Sequence, residues 1–171
     1  MKKKITWLLI LVISFSVFSC PNRYENRLLD IIKLKNNKKN WEILRIKNYS
    51  FTYSFGTYMQ GYVVGHVEVK NGIGKVSFED IPHHIPDKDD PKEKKYYITS
   101  IEEVFDNILS EYLNYKKKLD NKEIERLYYH NVEYDENYFF IKYLSFQTYI
   151  PIPDMTGQHG YSFQIQDFKK L

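Results

Sequence analysis

The sequence predicts an α+β fold, in which an antiparallel sheet of about five to six strands carries an N-terminal helix and one long helix on one face. Three observations indicate this class. Asn71-Gly72 stands between two alternating apolar runs, an apolar stripe at helical spacing follows Ser100, and the 171 residues include 16 Tyr and 11 Phe, which favour strands. The expected element order is α-β-β-β-α-β-β-β, and the hairpin-length links between strands favour antiparallel pairing.

The N-terminal helix is predicted from a set of aromatic and aliphatic residues at helical spacing, namely Tyr24, Leu28, Ile31, Ile32 and Leu34. We expect the Asn- and Lys-rich run at residues 36–40 to break this helix. Trp41 and Leu44 would then belong to a second helical piece.

The first three strands are the clearest local prediction. Residues 49–55 alternate Tyr and Phe with Ser and Thr, as a half-buried strand does. Asn71-Gly72 favours a type I′ turn, because both residues tolerate positive φ. That turn sets the hairpin register, with Lys70 opposite Ile73, Val69 opposite Gly74, Val67 opposite Val76, and Gly65 opposite Phe78. We expect the Phe78 ring to cover the backbone at Gly65.

A polar loop and a long helix follow the hairpin. Residues 81–95 hold three prolines among Asp and Lys, which predicts a surface loop without an element of its own. Ser100 and Glu103 have the spacing of a capping box. The helix after them presents one continuous apolar face, made by Ile101, Val104, Phe105, Ile108, Leu109, Tyr112 and Leu113.

The last third of the chain is predicted to form three strands, at residues 127–134, 139–149 and 161–165. Residues 135–137 are typical of a turn. We expect Gly157 and Gly160 to lie in the loop that precedes the final strand.

The first 19 residues have the pattern of a secretory signal, with three lysines followed by an apolar run at residues 5–18 that is shorter than the roughly 20 needed to cross a bilayer. Val17-Phe18-Ser19-Cys20 resembles the lipobox of bacterial lipoproteins, although Phe18 replaces the usual small residue. The resemblance implies cleavage before Cys20, a palmitate-bearing lipid anchor on Cys20, a tether at 20–23 and a single domain at 24–171. An ordinary cleaved signal and an uncleaved anchor are the alternatives.

Charge and cysteine content exclude several classes. The formal charge is +3, but without the three signal lysines 22 basic and 22 acidic side chains remain. A neutral domain argues against nucleic acid as a partner. A single cysteine excludes an internal disulfide and a Cys-based zinc site.

Five features of the chain resemble those of an uncharacterised family of small bacterial lipoproteins, which share a domain of unknown function. The features are Trp41, residues 49–53 (Tyr-x-Phe-x-Tyr), residues 67–72 (Val-x-Val-x-Asn-Gly), residues 101–106 (Ile-x-x-x-Phe-Asp) and residues 132–135 (Val-x-Tyr-Asp). Many members carry Cys-x-Cys after the first strand, where this chain has Ser54-Phe55-Gly56. The family has no assigned activity, so the resemblance implies an envelope location and a fold.

Motifs that carry chemistry are scarce. His83 and His84 precede three aspartates and are weak candidates for a metal site. We expect these histidines to lie in a solvated loop without a metal. We expect His66 and Glu68, which share a strand face, to form a polar pair. The sequence contains no recognisable catalytic motif, and therefore predicts neither a cofactor nor an enzyme.

The functional hypothesis concerns the tyrosines. Tyr128, Tyr138, Tyr143 and Tyr149 are expected to form an exposed aromatic patch that binds an envelope protein or a glycan. The Pro-rich loop is a second possible binding element. The alternative is an envelope hydrolase or an enzyme inhibitor whose site is assembled from residues far apart in sequence. A flat aromatic surface would favour the binder, and a deep pocket with converging His and carboxylates the enzyme.

Overall fold

The computed structural model describes residues 26–57, 61–79, 85–90, 93–150 and 157–171. The helices are α1 (Ile31–Leu44) and α2 (Ile101–Asp120), with a short 3₁₀ segment at Lys94–Tyr96. The strands are β1 (Tyr49–Thr57), β2 (Gly61–Lys70), β3 (Ile73–Phe78), β4 (Arg126–Tyr134), β5 (Ile141–Ile150) and β6 (Gly157–Lys170).

The six strands form one antiparallel sheet in the order β3-β2-β1-β6-β5-β4. Both helices pack on the same face, where Trp41 of α1 contacts Tyr49 and Tyr112 of α2 contacts Tyr129. The predicted α+β class and the predicted order of elements are therefore confirmed. The sheet joins two meanders through the pairing of β1 with β6, which are about a hundred residues apart along the chain.

The β2-β3 hairpin has the predicted turn and register. Asn71 and Gly72 have φ angles of 53° and 80°, as a type I′ turn requires. The four predicted residue pairs are all present. The ring of Tyr53 is the nearest side chain to the face of Gly65 where a Cβ would stand. Phe78, which pairs with Gly65, packs edge-on against Tyr97.

α1 is a single helix, which corrects the predicted break at residues 36–40. Asp30 caps it by accepting a hydrogen bond from the Lys33 amide at 2.9 Å. Leu34 and Trp41 are both buried, and they lie on the same side of the helix on either flank of the polar run. Tertiary packing at these two positions outweighs the small propensity cost of Asn and Lys between them.

α2 begins with half of the predicted capping box. The Ser100 hydroxyl accepts from the Glu103 amide at 3.1 Å, as expected. The Glu103 carboxylate reaches one residue further back, however, and accepts from the backbone and hydroxyl of Thr99. Five residues of the predicted apolar face are buried, whereas Leu109 is half-buried and Leu113, at the end of the face, is exposed.

A polar network ties α1, β1 and α2 together at the start of α2. The Trp41 indole donates to Glu102 Oε1 at 2.8 Å, and the Tyr49 hydroxyl donates to Glu102 Oε2 at 3.2 Å. The same hydroxyl accepts from the Ile101 amide at 3.1 Å. Burial raises the pKa of Tyr49, so this hydroxyl stays protonated and can donate.

Three element bounds differ from the prediction. The loop at 81–95 ends in the 3₁₀ segment, whose Tyr96 is buried against Phe55. β5 begins at Ile141, because Phe139 adopts a left-handed φ of 65° at the end of the preceding turn. β6 already includes Gly157 and Gly160, since both pair with β5 and therefore belong to the sheet.

The first described residues lie along the outer edge of β4. The Arg27 amide donates to the Leu127 carbonyl at 3.2 Å, and the Tyr129 amide donates to the Arg27 carbonyl at 2.8 Å. Asn26 accepts through its side chain from the Leu127 amide. In the part of the chain that the structure describes, neither helix is long and apolar enough to cross a bilayer.

Candidate functional site

One face of the sheet carries neither of the helices that the structure describes, and three of the four predicted tyrosines lie on this face. Leu127, Phe146 and Thr148 point to the helix side and are buried. Tyr128, Tyr143 and Tyr149 alternate with such buried residues along β4 and β5, and so they point to the open side, where they are half-buried.

The structure places Tyr138 elsewhere, so the predicted patch of four tyrosines contains three. Tyr138 lies in the turn before β5, and its ring contacts Phe140 and Phe168. Phe168 also packs against Trp41 on the helix side of the sheet. Tyr138 is therefore half-buried against the edge of the core and is not part of the open face.

Neighbouring side chains hold the open-face tyrosines in place. The Arg126 guanidinium lies 4.7 Å from the centre of the Tyr149 ring, as a cation–π contact. The Tyr149 hydroxyl donates to Gln147 Oε1 at 3.2 Å. The Tyr128 ring meets His130 edge-on at 4.7 Å. These contacts restrict the rings and lower the entropy that a ligand would have to remove.

Arg126 and Glu133 of β4 stand opposite Tyr149 and Tyr143, and neutral polar side chains lie on the side toward β6. Ser145 pairs with Ser162, and Tyr143 pairs with Gln164, across β5 and β6. We call this surface the tyrosine face and define it as Tyr128, Tyr143, Ser145, Gln147, Tyr149, Ser162 and Gln164. It offers aromatic surface together with uncharged hydrogen-bond donors and acceptors.

The other half of the open side, on β2 and β3, carries charged pairs instead. Glu68 accepts from the Lys70 ammonium at 2.8 Å, and His66 bonds to Glu79 at 2.8 Å and to Thr52 at 3.0 Å. The predicted His66–Glu68 pair is therefore replaced by two separate pairs. Both lie at the surface and are worth little to stability.

A cleft of about 480 Å³ lies on the helix side, between α2, the 3₁₀ segment and one end of the sheet. Its lining combines buried apolar and aromatic side chains with lysines, asparagines, a serine and two glutamates. The buried lining residues are Phe55, Ile98, Val104, Ile108, Tyr161 and Phe163. The described lining includes no histidine and no cysteine.

Glu111 and Tyr161 form the polar centre of this cleft. The Tyr161 hydroxyl donates to the Glu111 carboxylate. Burial raises the pKa of Glu111, and the Tyr161 hydrogen bond and the charge of Lys95 partly offset that rise. Burial also raises the pKa of Tyr161. The Lys95 ammonium lies 5.4 Å from the centre of the Phe55 ring, so a cation stands at the mouth of the cleft.

Sequence reasoning missed this pair, although one signal for it was present. Glu111 follows Val104 by seven residues and Ile108 by three, which places a carboxylate at the border of the apolar stripe of α2. An acidic residue in that position needs a partner when the stripe is buried. Nothing in the local sequence identifies Tyr161 as that partner.

Two predicted sites lie outside the described residues, namely the lipid-attachment residue Cys20 and the weak metal candidates His83 and His84. In the part of the chain that is described, no group of three or more His, Cys, Asp or Glu side chains is arranged to hold a metal ion.

Comparison with known proteins gives no relative. No family model, no curated protein and no solved structure matches this chain.

Proposed function

We propose that the protein is a lipoprotein of the bacterial envelope, anchored through acylated Cys20, and that it acts as a binding module without enzymatic activity. The tyrosine face is the proposed ligand surface. The observation that carries this proposal is that Tyr128, Tyr143 and Tyr149 share the side of the sheet that neither of the two described helices covers. The proposal covers a lipid anchor on the periplasmic face of a membrane and a lipid anchor at the cell surface.

The chemistry of the tyrosine face favours a glycan as the ligand. Sugar rings present C–H faces that pack on aromatic rings, and hydroxyl groups that need neutral donors and acceptors. Tyr143 and Tyr149 supply rings on one strand, while Gln147 and Gln164 supply amide groups beside them. A protein interface of similar size typically has a more apolar centre than these serines and glutamines provide.

Cosedimentation with isolated peptidoglycan and with envelope polysaccharide tests the ligand class. Replacing both Tyr143 and Tyr149 by serine removes two stacking rings and is expected to weaken binding about tenfold or more. Tyr62→Ser is the matched control, because Tyr62 is an exposed tyrosine of β2, outside the tyrosine face.

Equal binding by all three proteins would contradict a role for the tyrosine face. If no glycan is bound while a photo-crosslinker at Gln147 captures an envelope protein, the surface binds protein and the glycan proposal fails. Crosslinks from a photo-crosslinker at position 62, and none from position 147, would contradict both a glycan and a protein as ligand of the tyrosine face.

The anchor is tested separately. In a bacterial host, the wild-type chain is expected to take up labelled palmitate and to fractionate with membranes, whereas Cys20→Ala is expected to lose the label because its thiol is the acyl acceptor. A wild-type chain that takes up no palmitate would contradict lipidation.

The second candidate function is an envelope hydrolase or an enzyme inhibitor, and the cleft is the observation that favours it. Lys95, Glu111 and Tyr161 are far apart in sequence and meet there. A carboxyl group with a raised pKa is suited to general acid catalysis. Turnover of chromogenic esters or glycosides that Glu111→Gln abolishes and the surface control Glu125→Gln retains would support a hydrolase. Absence of turnover in the wild-type protein would contradict it.

A further inference from the structure

We propose that the outward side of α1 is a membrane-binding surface that lies on an anionic lipid bilayer. The inference rests in part on the proposed function, since the lipid anchor is what brings α1 to the membrane. It adds an orientation that the anchor alone does not provide.

The outward side of α1 carries large apolar side chains in water. Ile32 and Ile43 are 76% and 64% exposed. They are eleven residues apart, about three helical turns, and so they lie on the same side of the helix. Leu34 and Trp41 occupy the opposite side and are buried in the core. The exposed isoleucines therefore have no role in packing α1 on the sheet.

The segment that contains α1 is strongly basic. Residues 26–47 include seven Lys and Arg against two Asp and Glu, a formal charge of +5, whereas residues 48–171 carry −5. Lys35 and Lys39 are exposed, and at 100° per residue both lie on this side of the helix, beside the line that joins Ile32 and Ile43. Apolar side chains bordered by lysines are typical of a helix that lies in the interface of an anionic bilayer.

The short distance along the chain between Cys20 and the first described residue supports a bilayer as the partner of this surface. The described chain begins at Asn26, only six residues after Cys20, and those residues span at most about 20 Å. Asn26 and Arg27 are bonded to β4 next to the start of α1. An acyl group on Cys20 therefore holds the N-terminal end of α1 close to the lipid headgroups.

This arrangement has a consequence for the proposed ligand surface. α1 packs on the helix side of the sheet, and the tyrosine face is on the other side. A domain that rests on the outward side of α1 presents the tyrosine face away from the bilayer, toward the envelope space.

The test uses the acylated protein reconstituted into vesicles of phosphatidylcholine alone or of equal parts phosphatidylcholine and phosphatidylglycerol. Cys20 is the only cysteine, so acylation blocks its thiol and a fluorophore can be placed on Ile32→Cys. Ser77→Cys is the matched control, because Ser77 is an exposed residue of β3 on the open side of the sheet. Quenching by aqueous iodide reports whether each position is covered.

We expect iodide quenching at position 32 to fall severalfold in the anionic vesicles and to be unchanged at position 77. Lys35→Gln/Lys39→Gln weakens the surface attraction about thirtyfold and restores quenching, whereas the Lys→Arg pair retains protection. Equal quenching at position 32 in both kinds of vesicle would overturn the inference. If the fluorophore labels the wild-type chain at Cys20, the thiol is not acylated and the anchor proposal fails. Iodide quenching at position 32 is then measured in a Cys20→Ala background.

Discussion

Replacing Tyr49 by phenylalanine removes a single hydroxyl that joins β1 to the start of α2. The ring remains, and with it the edge-on contact with Trp41 at 5.3 Å and the stacking on Phe51 at 6.1 Å. The hydroxyl accepts from the Ile101 amide and donates to Glu102. The substitution therefore tests hydrogen bonding at the start of α2 without creating a large cavity.

The expected cost follows from the two bonds. Ile101 is fully buried, and its amide is one of the N-terminal donors that a helix cannot satisfy internally. Leaving such a donor unpaired costs about 1–3 kcal/mol, and a bond to a carboxylate contributes a similar amount. Because Glu102 keeps its bond from Trp41, we expect a loss of about 3 kcal/mol in all. For a domain of this size, that lowers Tm by about 6–12 °C.

Urea denaturation followed by circular dichroism measures the loss as a change in the free energy of unfolding. Tyr115→Phe is the control, because the contacts of Tyr115 with Phe146 and Lys118 are made by its ring. A loss below about 0.5 kcal/mol for Tyr49→Phe, as for an ordinary surface substitution, would refute the reasoning. So would an equal loss in the control.

Two further predictions concern Glu111 and Gly74. The raised pKa of Glu111 means that its contribution to stability is complete below the unfolded value of 4.5 and is lost as pH rises through the folded value. Glu111→Gln should therefore be more stable than wild type at pH 7, with a free energy of unfolding in urea titrations that is higher by more than about 0.5 kcal/mol. At acid pH the variant should have no such advantage. A variant less stable than wild type at pH 7 would contradict the predicted direction. Gly74→Ala places a Cβ on the Thr99 carbonyl and should cost about 3 kcal/mol in thermal unfolding, whereas Gly72→Ala, in open space at a φ of 80°, should cost about 1 kcal/mol. Equal losses of stability in the two variants would show that the backbone at Thr99 moves away from the added Cβ at no cost, and would contradict the prediction.

Local features were predictable because neighbouring residues decide them. The Asn71-Gly72 turn determines the register of β2 and β3, since only one alignment places the apolar residues on the same face. The start of α2 follows from Ser100 and Glu103, whose spacing allows the cap to form within one turn of chain. The alternation in β1 likewise shows which of its residues are buried.

The candidate site was only partly predictable, because the open face depends on where the helices pack. Alternation assigns Tyr128, Tyr143 and Tyr149 to one side of their strands, but Tyr138 stands in a turn, where alternation carries no information. Its burial depends on Phe168, thirty residues later. The Glu111–Tyr161 contact likewise joins residues from two distant elements.

The sequence by itself determined the α+β class, the order of the elements and the hairpin register, because turn chemistry and apolar periodicity act over a few residues. Only the tertiary structure decided that β1 lies beside β6 and that residues 36–40 stay helical. It also decided that Glu111 meets Tyr161. Each of these depends on burial shared between segments far apart in the chain, and the free energy of such burial appears only when those segments are packed together.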